Sequence, residues 1–133
     1  MRDLTLQSYV LVMIGSALGG GSRLWVSTLV GRRFGTDFPW GTLAVNVAGC
    51  LLVGVIGALL APPGRLHDAQ NMRVFLVTGV LGGYTTFSAF ALETVLLAER
   101  GQLVAAAGYV AASMIACVLA AWGTYVAVAA ALR

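Results

Sequence analysis

The stretch Gly82-Gly83-Tyr84-Thr85-Thr86-Phe87-Ser88 lies inside a long apolar segment, yet it combines residue types that continue an α-helix poorly. In hydrocarbon, non-helical backbone is tolerated only where it is buried in protein or lines a cavity. A helix interruption here would therefore form a site, and glycine-interrupted apolar segments are typical of membrane binding sites. The alternative is that Gly82 and Gly83 let an unbroken helix pack closely on a neighbour. Of the two, we predict the interruption.

The composition predicts an all-α integral membrane protein. Of the 133 residues, 59% are hydrophobic and 10% are charged, and the mean hydropathy is +0.91. An ordinary soluble domain is less apolar and more highly charged. Apolar spans are predicted at residues 9–30, 40–61, 72–98 and 103–132, near the length of about 20 residues that crosses a bilayer. They form one four-helix transmembrane domain, with no indication of a cleavable signal peptide.

Few polar residues occur within the first two spans, and each has two interpretations. Asn46 shares a helical face with Thr42 and Gly49. Its amide either hydrogen-bonds to another helix or lines a pore. Arg23 either reaches the membrane interface or is held inside the protein. It follows a glycine-rich run that consists of Gly15, Ser16, Gly19, Gly20 and Gly21. We predict a vestibule or structural role for Arg23, and we interpret the glycine-rich run as a tightly packed subunit contact.

The third and fourth spans carry aromatic and hydroxyl side chains at helical spacing. Phe87 and Phe90 share one face, where they either line a path or pack in the core or against lipid. Tyr109 and Ser113 begin a modest polar stripe, unless such hydroxyls hydrogen-bond to carbonyls of their own helix. Glu93 lies near the membrane edge, which favours a helix-end or internally hydrogen-bonded carboxyl over a proton carrier.

These residues do not form a catalytic site, because no acid, base or nucleophile has a suitable partner. Phenylalanine ring edges, an amide and hydroxyl groups instead turn positive dipoles toward an anion. Cys50 and Cys117 fall within apolar spans and are interpreted as small buried side chains, not as a disulfide or a metal-binding pair. His67 lies in a predicted solvated loop at residues 65–70 without a second metal ligand at suitable spacing. The net charge of +3 is not gathered into a basic run, so no nucleic-acid partner is expected.

The arginines specify membrane orientation weakly. They divide almost evenly between the two sides of the predicted topology, as Arg2, Arg65, Arg73 and Arg133 against Arg32, Arg33 and Arg100, with Arg23 close to the second side. Orientation depends on an unequal distribution of Lys and Arg. The chain is therefore predicted to insert in both orientations, which permits an antiparallel homodimer with a self-complementary interface.

The chain resembles the Fluc (CrcB) family of small fluoride channels in a motif from each span. The motifs are GGGSR at residues 19–23, FPWGTLAVN at residues 38–46, GVLGGYTTFSAF at residues 79–90 with Glu93, and Tyr109 with Ser113. The resemblance implies a dual-topology, antiparallel homodimer in the bacterial plasma membrane, with a third helix broken in mid-membrane. It also implies two fluoride pores per dimer and a structural sodium ion on the two-fold axis.

The resemblance also implies roles for individual residues. The fluoride pore would be lined by Phe87, Phe90, Asn46, Ser113, Tyr109, Thr42, Ser88 and Thr86. The backbone carbonyls of Gly82 and Thr85 from both subunits would hold the sodium ion, in keeping with the oxygen ligands that hard cations prefer. Arg23 and Glu93 would have vestibule or structural roles.

The resemblance thus implies a passive channel that lets fluoride leave the cytoplasm, and the residues do not indicate an enzyme. One alternative is a small proton-coupled multidrug exporter, which needs a carboxylate within the membrane and for which Glu93 is the one candidate. Another is a non-transporting membrane scaffold subunit, for which the glycine-rich contacts would suffice.

Overall fold

The computed structural model describes residues 5–64, 66 and 69–133 of the chain. Every regular element in these ranges is helical. Four helices are long and apolar enough to cross a membrane, namely Leu6–Phe34, Trp40–Leu60, Gln70–Glu99 and Leu103–Ala131. The predicted all-α membrane fold with four spans is therefore confirmed. Arg2, Arg65 and His67, which entered the predictions on topology and on the second loop, lie outside the described residues.

Local residues account for where α1 begins and ends and for where α2 begins. Helix α1 (Leu6–Phe34) starts after Thr5, whose side chain accepts a hydrogen bond from the Ser8 amide at 3.3 Å. It ends at Gly35, which has a φ of 87°, a value that glycine adopts without strain. Helix α2 (Trp40–Leu60) starts directly after Pro39, since a proline at a helix start loses no hydrogen bond.

The third span is built from several pieces. A short α3 (Gln70–Arg73) leads into a π-helix over Val74–Leu81 and then into α4 (Gly82–Tyr84). Thr85 and Thr86 have extended backbones, with ψ angles of 157° and 111°. Helix α5 (Phe87–Glu99) follows, and the Thr86 side chain caps it by accepting a hydrogen bond from the Ala89 amide at 3.2 Å. The two extended residues leave backbone groups that need partners outside the helix.

The core lies between the second half of the third span and the last helix. Helix α6 (Leu103–Ala131) packs most extensively on α2, and it also packs on α5. The buried cluster between α5 and α6 consists of Phe90, Leu97, Ala106 and Tyr109. This arrangement places the start of α5 beside the first half of α2 and of α6.

Helix α1 packs against the π-helix through glycine. A Cβ atom added to Gly15 would lie 2.8 Å from the Phe75 carbonyl oxygen and 2.9 Å from the Gly79 Cα. At Gly21, by contrast, an added Cβ would meet no atom within 4 Å. The glycine-rich run was interpreted as a subunit contact, but Gly15 instead makes a close contact within the chain.

This contact predicts that Gly15→Ala destabilises the fold. The added methyl group would press against backbone atoms, which cannot rotate away, so we expect the free energy of unfolding to fall by about 2 kcal/mol. Unfolding of the purified protein in mixed micelles, followed by tryptophan fluorescence, measures the change. Gly21→Ala is the matched control, because alanine favours a helix over glycine by about 0.5–1 kcal/mol and meets no neighbour there. Equal stability of the two variants would contradict the predicted close packing.

Candidate functional site

Two cavities flank the non-helical residues Thr85 and Thr86. The first, called the arginine cavity here, has a volume of about 710 Å³ and is lined by residues that include Arg23, Thr42, Glu93 and Arg100. The second, called the phenylalanine cavity, has a volume of about 380 Å³ and includes Asn46, Phe87, Phe90 and Ser113 in its lining. Thr86 lines both cavities. The extended residues Thr85 and Thr86 therefore lie where the two spaces approach each other.

Asn46 holds the non-helical backbone in place. Its Nδ2 donates to the Thr86 carbonyl oxygen at 3.0 Å, and its Oδ1 accepts from the Thr86 amide at 2.8 Å. One side-chain amide thus pairs with both polar groups of one residue, as a neighbouring strand would. This pairing satisfies backbone that would otherwise be costly to place in an apolar environment. The second Nδ2 hydrogen is not required for these two bonds, and Asn46 lines the phenylalanine cavity.

The pairing also redirects the amide that would normally continue the helix. In an α-helix the Thr86 N–H would donate to the Gly82 carbonyl, four residues earlier. Here it donates to Asn46, which frees the Gly82 oxygen from that donor. Gly82 and Thr85 both line the phenylalanine cavity.

An aromatic pair and a buried hydroxyl face the phenylalanine cavity. The ring centroids of Phe87 and Phe90 lie 5.3 Å apart with an interplanar angle of 53°. Phe90 is 6% exposed, whereas Phe87 is 70% exposed. Ser113, from α6, is buried, and its Oγ is the one buried side-chain polar atom in the described ranges without a hydrogen-bond partner. A buried hydroxyl that lacks a partner is costly, so this atom is suited to a polar ligand in the cavity.

Glu93 connects three helices at the edge of the arginine cavity. Its Oε1 accepts a hydrogen bond from the Thr42 hydroxyl at 2.7 Å, and its Oε2 accepts one from the Tyr109 hydroxyl at 2.7 Å. The carboxyl group thereby joins α2, α5 and α6. Tyr109 is fully buried and also packs against the Phe90 ring, with centroids 5.1 Å apart. The Thr42 and Tyr109 hydroxyl protons are therefore directed to Glu93.

The predicted site residues do not all line the two cavities. Arg23 is half-buried in the wall of the arginine cavity, which also contains Asp37 and Arg100. Tyr109 and Ser88 are not among the residues that line either cavity. Ser88 is exposed, and its Oγ lies 3.5 Å from that of Thr86. The pore roles given to these residues stay predictions.

Some features of the site were not predicted from the sequence. The π-helix changes which residues of the third span face α1, and no propensity signal in Val74–Leu81 marks it. The double hydrogen bond from Asn46 to one backbone residue also depends on the tertiary fold. The spacing of polar residues did predict one feature, namely that Thr42 and Asn46 share a face of α2. In the structure Thr42 contacts Glu93 and Asn46 contacts Thr86 from that face.

The three-helix junction at Glu93 predicts that Tyr109→Phe is destabilising. The substitution keeps the ring but leaves Oε2 of Glu93 without its donor, so we expect a loss of about 2 kcal/mol in unfolding free energy. Tyr125→Phe is the matched control, since Tyr125 is 41% exposed on the same helix. Unfolding in mixed micelles compares the two variants. Equal stabilities would mean that the hydrogen bond to Glu93 contributes nothing to the fold.

Comparisons with known proteins agree on one family. A family model described as "CrcB-like protein, Camphor Resistance (CrcB)" matches residues 10–125. A protein of Methylocella silvestris named fluoride-specific ion channel FluC is 45% identical over 122 residues, which cover 91% of this chain and 93% of the relative. A protein of Rhodospirillum rubrum with the same name is 42% identical over 115 residues, covering 86% and 89%. One of Paracoccus denitrificans, also with that name, is 49% identical over 108 residues, covering 81% and 83%.

Proposed function

Because the chain belongs to the CrcB family, as its motifs predicted, we propose that it is a fluoride-selective channel whose pore includes the phenylalanine cavity. The chain is a multi-pass bacterial membrane protein with four membrane-spanning helices. The observation that carries the assignment of the pore is the buried Ser113 hydroxyl, which has no hydrogen-bond partner among the described residues and faces a cavity walled by Phe87 and Phe90.

The lining of the phenylalanine cavity suits a small anion that has lost its water. A bare ion in an apolar environment costs tens of kcal/mol unless polar groups surround it. The ring edges of Phe87 and Phe90 carry positive partial charge, and Ser113 offers a hydroxyl proton. The free Nδ2 hydrogen of Asn46 adds a further donor. These donors are neutral, so they attract an anion without holding it as tightly as a fixed charge would, and passage through a channel requires such weak binding.

We propose that the arginine cavity is the vestibule of this pathway. Arg23 and Arg100 contribute positive charge to its wall, and Asp37 and Glu93 contribute acidic groups. These charges balance overall, so the arginines attract an anion only where they lie nearer to it than the acidic groups do. The negative interior of a bacterial cell then favours fluoride exit, since the membrane potential contributes about 2.3 kcal/mol per elementary charge for each 100 mV.

We propose that two copies form an antiparallel homodimer with two pores. Two observations support this: Phe87 is 70% exposed in a single chain, and the arginines are nearly balanced between the two sides. A second copy would cover Phe87 and complete the wall of the cavity. Reporter domains fused after Arg133 should then appear on both membrane faces in comparable amounts, and their appearance on one face alone would contradict dual topology.

We further propose that the interruption lies in mid-membrane and that the Gly82 and Thr85 carbonyls hold a structural sodium ion. The residues fit such an ion, because the Thr86 amide donates to Asn46 and leaves the Gly82 oxygen free of its helical donor. Two carbonyls from each of two chains would supply four oxygens to a hard cation. Replacing sodium with N-methylglucamine should lower the thermal midpoint of the dimer, and an unchanged midpoint would argue against the ion.

The alternative functions have less support. A proton-coupled exporter needs a carboxylate that is free to exchange its proton with substrate. Both oxygens of Glu93 instead accept hydrogen bonds from other helices. A scaffold subunit would not require a buried hydroxyl without a partner beside an aromatic pair.

Fluoride efflux from liposomes tests the proposed channel. Purified protein is reconstituted at low density, and external fluoride is followed with an ion-selective electrode after the membrane potential is collapsed with valinomycin. We expect fast loss of fluoride, and no loss of chloride in a parallel assay. Retention of both ions by a folded, reconstituted protein would overturn the channel assignment, and loss of both would overturn the selectivity.

A further inference from the structure

The two cysteines of the chain lie next to each other in the wall of the phenylalanine cavity. The chain has two cysteines in all, and both are free thiols. Cys50 comes from α2 and Cys117 from α6, and both line the cavity. Four residues further along each helix, Gly54 of α2 packs directly against the carbonyl oxygen of Ala121 of α6, so Cys50 and Cys117 lie at the same level where the two helices are in close contact. They were interpreted from the sequence as separate small buried side chains, because nothing in the spacing of residues 50 and 117 indicates that they meet.

Their position follows from the register of two helices that run in the same direction. Cys50 is one turn beyond Asn46 on α2, and Cys117 is one turn beyond Ser113 on α6. Four residues of α-helix rise about 6 Å. The thiol pair is therefore one turn beyond the level of Asn46 and Ser113.

We propose that Cys50 and Cys117 form a two-sulfur binding site for a soft, thiophilic cation that accepts linear coordination. Thiolates select soft metal ions over hard ones. The described residues contain no group of three or more His, Cys, Asp or Glu that could hold a metal ion, so an ion satisfied by two sulfurs fits best. The Met114 thioether, which lines the same cavity, adds a third soft atom nearby.

Charge balance favours a divalent ion at this site. When Hg²⁺ binds, both thiols lose their protons and two Hg–S bonds form, so the products are a neutral mercury bis-thiolate and two protons in water. A neutral product suits the surroundings, since this cavity is lined largely by apolar side chains. Mercuric ion is therefore the probe, and no oxidant or reductant is needed.

The proposal that one mercury ion is shared by Cys50 and Cys117 is tested by whether the bound metal withstands a competing monothiol. The detergent-purified protein is loaded with Hg²⁺, washed with excess 2-mercaptoethanol, passed through a desalting column and analysed for mercury and protein. We expect about one mercury per chain to be retained, because two thiols held side by side compete far better than one. Cys50→Ser and Cys117→Ser each leave one thiol, and both variants should lose the metal in the wash.

Several results would overturn the shared site. Two mercury ions per wild-type chain would mean that each thiol binds its own ion. Loss of mercury from the wild type during the wash would mean that the thiols do not chelate. Equal retention by a single-serine variant would place the metal elsewhere. Size-exclusion profiles show whether each serine variant is folded. Cys50→Ala and Cys117→Ala repeat the test without placing a hydroxyl group in the cavity wall.

The effect of the bound ion on transport rests on the proposed function and is measured separately. A metal in the phenylalanine cavity should obstruct fluoride, so Hg²⁺ should lower wild-type efflux by about tenfold. Each protein is compared with and without metal, and efflux by the Cys50→Ser/Cys117→Ser variant should not respond. Unchanged wild-type efflux at full occupancy would overturn the obstruction. Absence of efflux before metal is added would contradict the proposed channel, whereas the retention experiment would still decide the metal site.

Discussion

Phe87→Ile and Phe90→Ile are each expected to lower fluoride efflux by about two orders of magnitude. Isoleucine fills much of the space of the ring, but it has no aromatic edge with positive partial charge. The ring centroids lie 5.3 Å apart, and both rings line the same cavity. When one ring is replaced, no neighbouring polar group occupies its position to attract the anion in its place. The initial rate of efflux from liposomes, normalised to reconstituted protein, measures the effect.

The two variants should differ in stability even though both lose transport. Phe90 is 6% exposed and packs on Tyr109, whereas Phe87 is 70% exposed in the single chain. Phe90→Ile should therefore destabilise the fold by about 1–2 kcal/mol as the core repacks, and Phe87→Ile should change the stability of a single chain little. Loss of efflux in a stable Phe87→Ile protein thus identifies a role in ion passage.

Phe34→Ile is the matched control for these phenylalanine variants. Phe34 is 65% exposed at the end of α1 and contacts Trp40 and Arg33. It does not line either cavity, so its replacement should leave efflux unchanged. Rapid fluoride efflux through both Phe87→Ile and Phe90→Ile would contradict the proposed pore.

The sequence predicted the fold well because the membrane leaves few possibilities. Four apolar stretches of sufficient length, separated by charged or proline-containing loops, can satisfy their backbone only as helices or closed barrels. Pro39 predicted the start of α2, and α2 begins directly after it. The helix bounds also follow from local residues, since Thr5 caps α1 and Gly35 ends it.

The site was predictable in its residue types and less so in its contacts. The spacing of Phe87 and Phe90 indicated a shared face, and the two rings contact each other. The partners of polar residues depend on distant parts of the chain, as Glu93 shows by joining Thr42 and Tyr109. The meeting of Cys50 and Cys117 is of the same kind, because it depends on the relative register of α2 and α6.

Asn46→Leu is expected to have the largest effect on stability. Leucine has a similar volume but can neither donate to nor accept from the backbone of Thr86, so both hydrogen bonds are lost. An unpaired buried polar group costs about 1–3 kcal/mol, which predicts a loss of about 3 kcal/mol in unfolding free energy for the pair. Asn71→Leu is the matched control, because Asn71 is exposed near the start of the third span.

Asn46→Asp separates the structural role of this residue from its role in the pore. Aspartate keeps an oxygen that accepts from the Thr86 amide, but it places a second acceptor against the Thr86 carbonyl in place of the Nδ2 donor. We expect a loss of about half that of Asn46→Leu, together with an almost complete loss of fluoride efflux, since a carboxylate in the cavity wall repels an anion. If Asn46→Asp retained efflux while Asn46→Leu lost both stability and efflux, Asn46 would support the interrupted helix without contacting the ion. If Asn46→Leu were as stable as Asn71→Leu, the two hydrogen bonds to Thr86 would not be what holds the non-helical backbone in place.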